Sequence, residues 1–388
     1  MGRRNVQKET EKPKKDIKIQ LKLDKKTTVK VVLFVASLLA IIAINNYTSI
    51  GLVLDRNIST KDATKVELQT SNNKIIPFGN EILVYNKGRL TSYNANGKST
   101  GEIKLEDTIE ADVKTCGKYI QVANKDKGII YVYKNKYEVA RIKLEGKIYS
   151  TSINSDGTSI VEYSTSGNKV ELGVYDKSGE KKYNVKLSNN VIGKYVLSED
   201  SSKLAYIDVN IEGISAQTNI KLIDLTNIKE DGSNAKTIYT KDNDLAYDIY
   251  WDGNEIIIAF DEGYVIYNTR NGKTQNIKIA DGQLVQIQQY AKRYAFIQIS
   301  EQGEYLFNLK KMTSDKVKTI KIKEAPKYFK YENGLSYICY QKDIEVYNNA
   351  GVKIKKYESD NIITEPVIFN EGRSAVVPIS NKLVIFTI

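Results

Sequence analysis

Seven acidic residues, Asp156, Glu199, Asp200, Asp252, Glu255, Glu332 and Glu371, are the side chains most able to do chemistry, since each lies in or beside a polar turn. Paired carboxylates can cleave a glycosidic bond, one as acid and one as base or nucleophile, or ligate a hard cation. Hairpin turns call for such residues anyway, because short acidic side chains satisfy turn amides. Histidine is absent, which removes Ser-His-Asp and Cys-His catalysis, His-ligated zinc or haem, and histidine pH switching. The chain has no phosphate-binding loop, dinucleotide fingerprint or Cys-x-x-Cys pair. No cofactor is expected.

Binding chemistry has two candidate locations. Residues 210–219 read Asn-Ile-Glu-Gly-Ile-Ser-Ala-Gln-Thr-Asn, an insertion that makes the longest loop of the repeat pattern described below. Long loops on a rigid scaffold often carry recognition, so Asn210, Ile211, Glu212, Ser215, Gln217 and Asn219 are the candidate contacts. Trp251 stands beside the Asp252-Gly253 turn and offers a stacking platform for sugar. The blander accounts are a tolerated surface insertion and, for the many tyrosines, plain strand propensity. A second insertion, residues 227–235, is rich in turn residues.

The elements that would position these groups follow from a repeat. A strand-ending aromatic or aliphatic residue returns about every forty residues, at Tyr93, Tyr133, Tyr175, Ile223, Tyr267, Phe307, Tyr347 and Phe386. A second series of apolar runs keeps step with it, each preceded by a turn such as Asp156-Gly157, Gly253-Asn254 or Asn333-Gly334. Asp-Gly and Asn-Gly supply the positive φ of tight hairpins. A further strand lies upstream of each turn, and an alternating, lysine-rich strand closes each unit, as in Gly101 to Leu105 and Tyr183 to Leu187. Four strands per unit at this period give an all-β fold, a β-propeller of eight four-stranded blades, or seven if one unit is irregular. The last unit ends at its third strand, and residues 65–69 have the character of the missing fourth. Pairing them would close the ring over residues 65–388.

The runs around Ser152 to Val161 and Val196 to Tyr206 resemble the strand-turn-strand repeats of WD40-like and TolB-like propellers, without the Trp-Asp dipeptide of true WD40 repeats. The layout as a whole resembles single-span, membrane-anchored propeller proteins of low-GC Gram-positive bacteria. That resemblance implies a domain of unknown function and a compartment, but no chemistry.

Charge is concentrated at one end. Residues 1–30 carry eleven Lys or Arg against four acids, so the tail holds +7 of the net +11 and leaves +4 for residues 31–388. A nucleic-acid surface on the folded part is therefore not expected. Residues 31–44 are continuously apolar and no charge falls between Val31 and Leu54, so residues 31–50 are predicted to form a transmembrane helix, with Tyr47 at the headgroup level. The positive-inside rule then places residues 1–30 in the cytoplasm, in reach of anionic lipid, and the propeller outside, with residues 51–64 as linker. Cys116 and Cys339 fall three units apart, beyond disulfide reach, and are expected as free thiols.

These features point to a single-pass cell-membrane protein whose extracytoplasmic propeller is a non-enzymatic scaffold for protein partners at the envelope. Recognition of cell-wall glycan or of a soluble ligand is the alternative, and a carboxylate-based hydrolase the third reading.

Overall fold

The computed structural model describes residues 57–59, 63–68, 73–105, 111–165, 170–186, 191–211, 215–228, 235–312, 314 and 316–387. The chain divides into Met1–Leu52 and Val53–Ile388, and every described residue belongs to the second unit. The predicted transmembrane helix at 31–50 and the basic tail lie outside the described residues. Among those described, no helix is long and apolar enough to cross a membrane.

Eight sheets follow one another along the chain, seven of four strands and one of five, which settles the blade count at eight. Blades 1 to 6 span residues 74–104, 112–143, 148–186, 191–242, 248–278 and 283–321, each an antiparallel meander. Blade 7 spans 328–358 and blade 8 comprises 367–387 plus Thr64–Glu67. First strands of neighbouring blades touch one another, so they line the centre, and the lysine-bearing fourth strands form the rim. Turns between first and second strands and between third and fourth collect on one face, here the turn face. The other, the link face, holds the second-to-third hairpins and the crossings between blades.

The residue that returns every forty or so positions has a packing reason. Tyr133, Tyr175, Ile223, Tyr267, Tyr347 and Phe386 are buried, each against the preceding blade. Tyr93, partly buried, packs against blade 8 and closes the ring from the other side. Phe307 is the exception. It lies mid-strand in Tyr305–Lys311 and turns forward, its ring 6.0 Å from Phe329 and 5.4 Å from Tyr347 of blade 7. The sequence periodicity therefore hides one residue that is out of phase.

Two short strands bind the amino-terminal side of this unit to its end. Thr64–Glu67 pairs antiparallel with Lys382–Thr387, Val66 opposite Leu383, and Leu68 N–H donates to the Asn381 carbonyl at 2.7 Å. Asn57–Ser59, within the stretch expected to be linker, instead forms a strand that pairs in parallel with Lys353–Glu358 and gives blade 7 a fifth strand. Three residues carry no alternation to read, so only the register reveals this pairing. Cys116 and Cys339 are free. Burial, then the nearby Asp343 carboxylate, pushes the Cys339 thiol far up, so it is an inert core group.

Candidate functional site

The predicted loop at 210–219 is shorter than its sequence suggests. Asn210 ends strand Lys203–Asn210 and Gln217 opens strand Gln217–Asp224, the two facing each other in register, so the loop proper is 211–216. These are among the longest strands described, and they carry the hairpin outward on the link face. Ile211 and Ser215 are exposed at its tip, and Glu212 lies outside the described residues.

Gln217 and Asn219 belong to a polar ladder that fixes strand register. Gln217 Nε2 donates to Asp242 Oδ1 at 2.7 Å, Asn219 Nδ2 to Gln217 Oε1 at 3.3 Å, and Thr240 Oγ1 to Asn219 Oδ1 at 2.9 Å. Such cross-strand bonds hold a long hairpin straight. Trp251 is on the opposite face. Its indole N–H donates to the Gly253 carbonyl at 3.0 Å, and its ring packs on the core between blades 4 and 5. The structure thus keeps Ile211 and Ser215 as surface contacts of one hairpin and does not bring Trp251 to them.

Beside that hairpin lies a feature the sequence reading missed, a cleft of about 240 Å³ between blades 4 and 5. Tyr239 and Lys241 form its blade 4 wall, and Phe260, Gly263, Val265 and Asn276 its blade 5 side. Lys241 is the Cα partner of Thr218, and Asn243 N–H donates to the Ala216 carbonyl at 3.0 Å, so wall and hairpin are one construction. Gly263, on the cleft wall, opens the third strand of blade 5, where the other blades have Arg89, Ile129, Val170, Gln217, Tyr305, Asp343 and Lys382. Only glycine fits, since a Cβ there would come within 2.1 Å of the Ile277 carbonyl oxygen, at a φ of +153°. The signal was present as Gly263 at the start of an otherwise apolar strand. The Lys241 ammonium, paired with Asp244, stands 4.5 Å over the Phe260 ring and caps the core beneath the cleft.

The acidic turn residues do turn work. Asp156 accepts from Thr158 N–H and Oγ1, both at 2.9 Å, and Asp200 accepts from Ser198 and Ser202. The Ser198 hydroxyl first, then Ser202, hold the Asp200 carboxyl down at about 2. Asp252 and Glu255 face each other across their hairpin, and Asp252 accepts from Gln289 of blade 6. Burial, then the Asp252 charge, raises the Glu255 carboxyl, and its Oε2 finds no hydrogen-bond partner among the described residues. Among those residues no three His, Cys, Asp or Glu side chains converge as metal ligands.

The Glu255 environment makes a pH-dependent prediction. A carboxyl whose folded pKa is raised destabilises the fold increasingly as pH rises above its unfolded value. Glu255→Gln should therefore raise the thermal midpoint at pH 7 to 8, with the gain vanishing below about pH 4, where the wild-type carboxyl is protonated in both states. Melting curves of both chains across pH 3 to 8 check this. A gain that is constant with pH would contradict it.

Eight radial sheets with first strands at the centre define a β-propeller. Its candidate surface is the link-face hairpin and cleft of blades 4 and 5. The chain belongs to a family of unknown function, DUF5711, whose pattern matches residues 55–385. No curated protein matches it in sequence. Among solved structures it is similar to BamB from Moraxella catarrhalis, with 13% identity and a TM-score of 0.54 over 84% of this chain and 98% of that one. Sqt1 from Saccharomyces cerevisiae shares 9% identity at a TM-score of 0.56, over 86% of this chain and 99% of that one. The tricorn protease gives 12% and 0.54 over 84% of this chain, which spans 36% of that one. At these identities the likeness speaks for the fold alone.

Proposed function

We propose that this chain is a membrane-anchored, extracytoplasmic scaffold that holds a protein partner against the link face of its propeller, without catalysing a reaction. The observation that carries the reading is the hairpin of blade 4. It projects Ile211 into solvent, 58% exposed, beside a side-chain-sized cleft whose walls are strands of the same blade and its neighbour. A rigid scaffold that presents an apolar residue next to a recess lined by Tyr239, Phe260 and Val265, with Lys241, Lys278 and Glu262 among its walls, is suited to grip a protein surface. The anchor is residues 31–50, with the basic tail 1–30 on the cytoplasmic side against anionic lipid.

Crosslinking in native membranes followed by purification of the chain tests this. A discrete, reproducible adduct is expected, weakened at least several-fold by Ile211→Asp while the amount of folded chain stays constant. Recovery of the chain alone at every crosslinker length would oppose the scaffold reading. Binding of the propeller to cell-wall fragments, lost with residues 211–216, would favour glycan recognition instead.

A further inference from the structure

Five blades share a pattern where their first strands begin at the link face. In each, a buried apolar residue that packs between blades is adjoined by an exposed apolar one: Ile148 by Tyr149, Ile192 by Val191, Ala246 by Leu245, Leu284 by Val285 and Ile363 by Ile362. The exposed members are between 44 and 56% exposed. Tyr149 and Val285 sit at register shifts, between Ile148 and Ser150 and between Leu284 and Gln286, where a bulge re-aims a side chain. Val191 opens its strand, and Leu245 and Ile362 lie midway along the links into blades 5 and 8. Since first strands line the centre, these residues surround the mouth of the ring on the link face. At the turn-face end of the described first strands, Tyr290 is the one large apolar residue that stands exposed.

Charge divides the same mouth in balance. Lys147 and Lys194 are exposed beside Tyr149 and Val191, with the acids Glu145 and Asp112 close by, whereas Asp281, Asp360 and Glu365 are exposed beside Val285 and Ile362, with Lys327 between those two blades. A ring of apolar groups around an opening favours a protruding partner element that loses water on all sides at once. The lysine sector sets its orientation, because a carboxylate on the partner gains there and is repelled on the opposite side.

Resting on the scaffold reading above, we infer that the link-face mouth seats a protein segment with an aliphatic or aromatic tip, flanked by carboxylates on the side meeting Lys147 and Lys194. The probe is a displayed library of random peptides, selected against the full chain in detergent. Enriched peptides should combine an apolar core with an acidic flank. Leu245→Asp, Val285→Asp and Lys194→Glu should each weaken their binding at least tenfold, and Tyr290→Asp should leave it unchanged. Circular dichroism of each variant verifies the fold, and Leu245→Ser is the milder replacement if an aspartate unfolds it. Peptides that bind as well to the link-face variants, or that respond to Tyr290→Asp instead, would overturn the seat while leaving a scaffold with another docking face. No enrichment against any face would count against both.

Discussion

A chain that starts at residue 70 will lose the cooperative unfolding that a chain starting at residue 60 retains. Thr64–Glu67 supplies the fourth strand of blade 8, and its ladder to Lys382–Thr387 is the bond between the two sides of the ring. Val66 and Leu68 pack on a cluster that joins Ile82 and Val84 of blade 1 to Phe369, Val376 and Leu383 of blade 8. Val66 also lies against Gly97 of blade 1, where a Cβ would meet its methyl at 2.7 Å. Removing this strand costs several ladder bonds at about 0.5–1.5 kcal/mol each and two apolar side chains at about 1.5–3 kcal/mol each. It also opens the blade edge. The expected loss is ~5 kcal/mol or more. Among the described residues, starting at residue 60 removes only Asn57–Ser59 and its three parallel pairs, an expected change of roughly 1–2 kcal/mol. Denaturant unfolding of the two truncated chains checks the contrast. Equal midpoints and slopes would mean that the strand does not close the ring.

Phe307→Ala should cost about 3–5 kcal/mol, the usual penalty for emptying a buried phenylalanine site. The side chain is fully buried and carries two of the three aromatic contacts found between blades 6 and 7 among the described residues, to Phe329 and Tyr347, the third being Tyr290 with Tyr331. Its neighbours are strand residues held by ladders, so the cavity cannot collapse freely. Tyr137→Ala is the comparison. Tyr137 is 78% exposed on a fourth strand, and its loss should change stability by less than about 0.5 kcal/mol. Thermal melts of the two variants measure the difference. Similar midpoints would show that blade 6 is not keyed to blade 7 through this ring.

Much of the architecture was legible because each blade repeats the same solution to the same packing problem. The Asp-Gly and Asn-Gly turns, the alternating lysine strands and the residues near third-strand ends all answer to local rules. What escaped depends on register. Phe307 matched the period while facing the other neighbour, and Asn57–Ser59 gave no alternation that could mark a strand. Asn210, Gln217 and Asn219 read as loop because polar residues are common there. Only the pairing of Asn210 with Gln217 shows that the hairpin is longer and its amides already engaged in the ladder. The exposed Tyr149 and Val285 owe their direction to bulges, which leave no mark in a hydropathy pattern. Gly263 could have been noticed, since a glycine opening a core strand signals a close approach of another backbone.

The central claim is that one face of the ring meets a partner protein. Its most direct test is a photo-crosslinking amino acid placed singly at Ile211, Leu245, Ile228 and Tyr290 in the full chain in living cells. The link-face positions 211 and 245 should give the same discrete protein adduct, and the turn-face positions 228 and 290 none. Adducts from 228 or 290 alone, or silence at all four positions, would contradict the account.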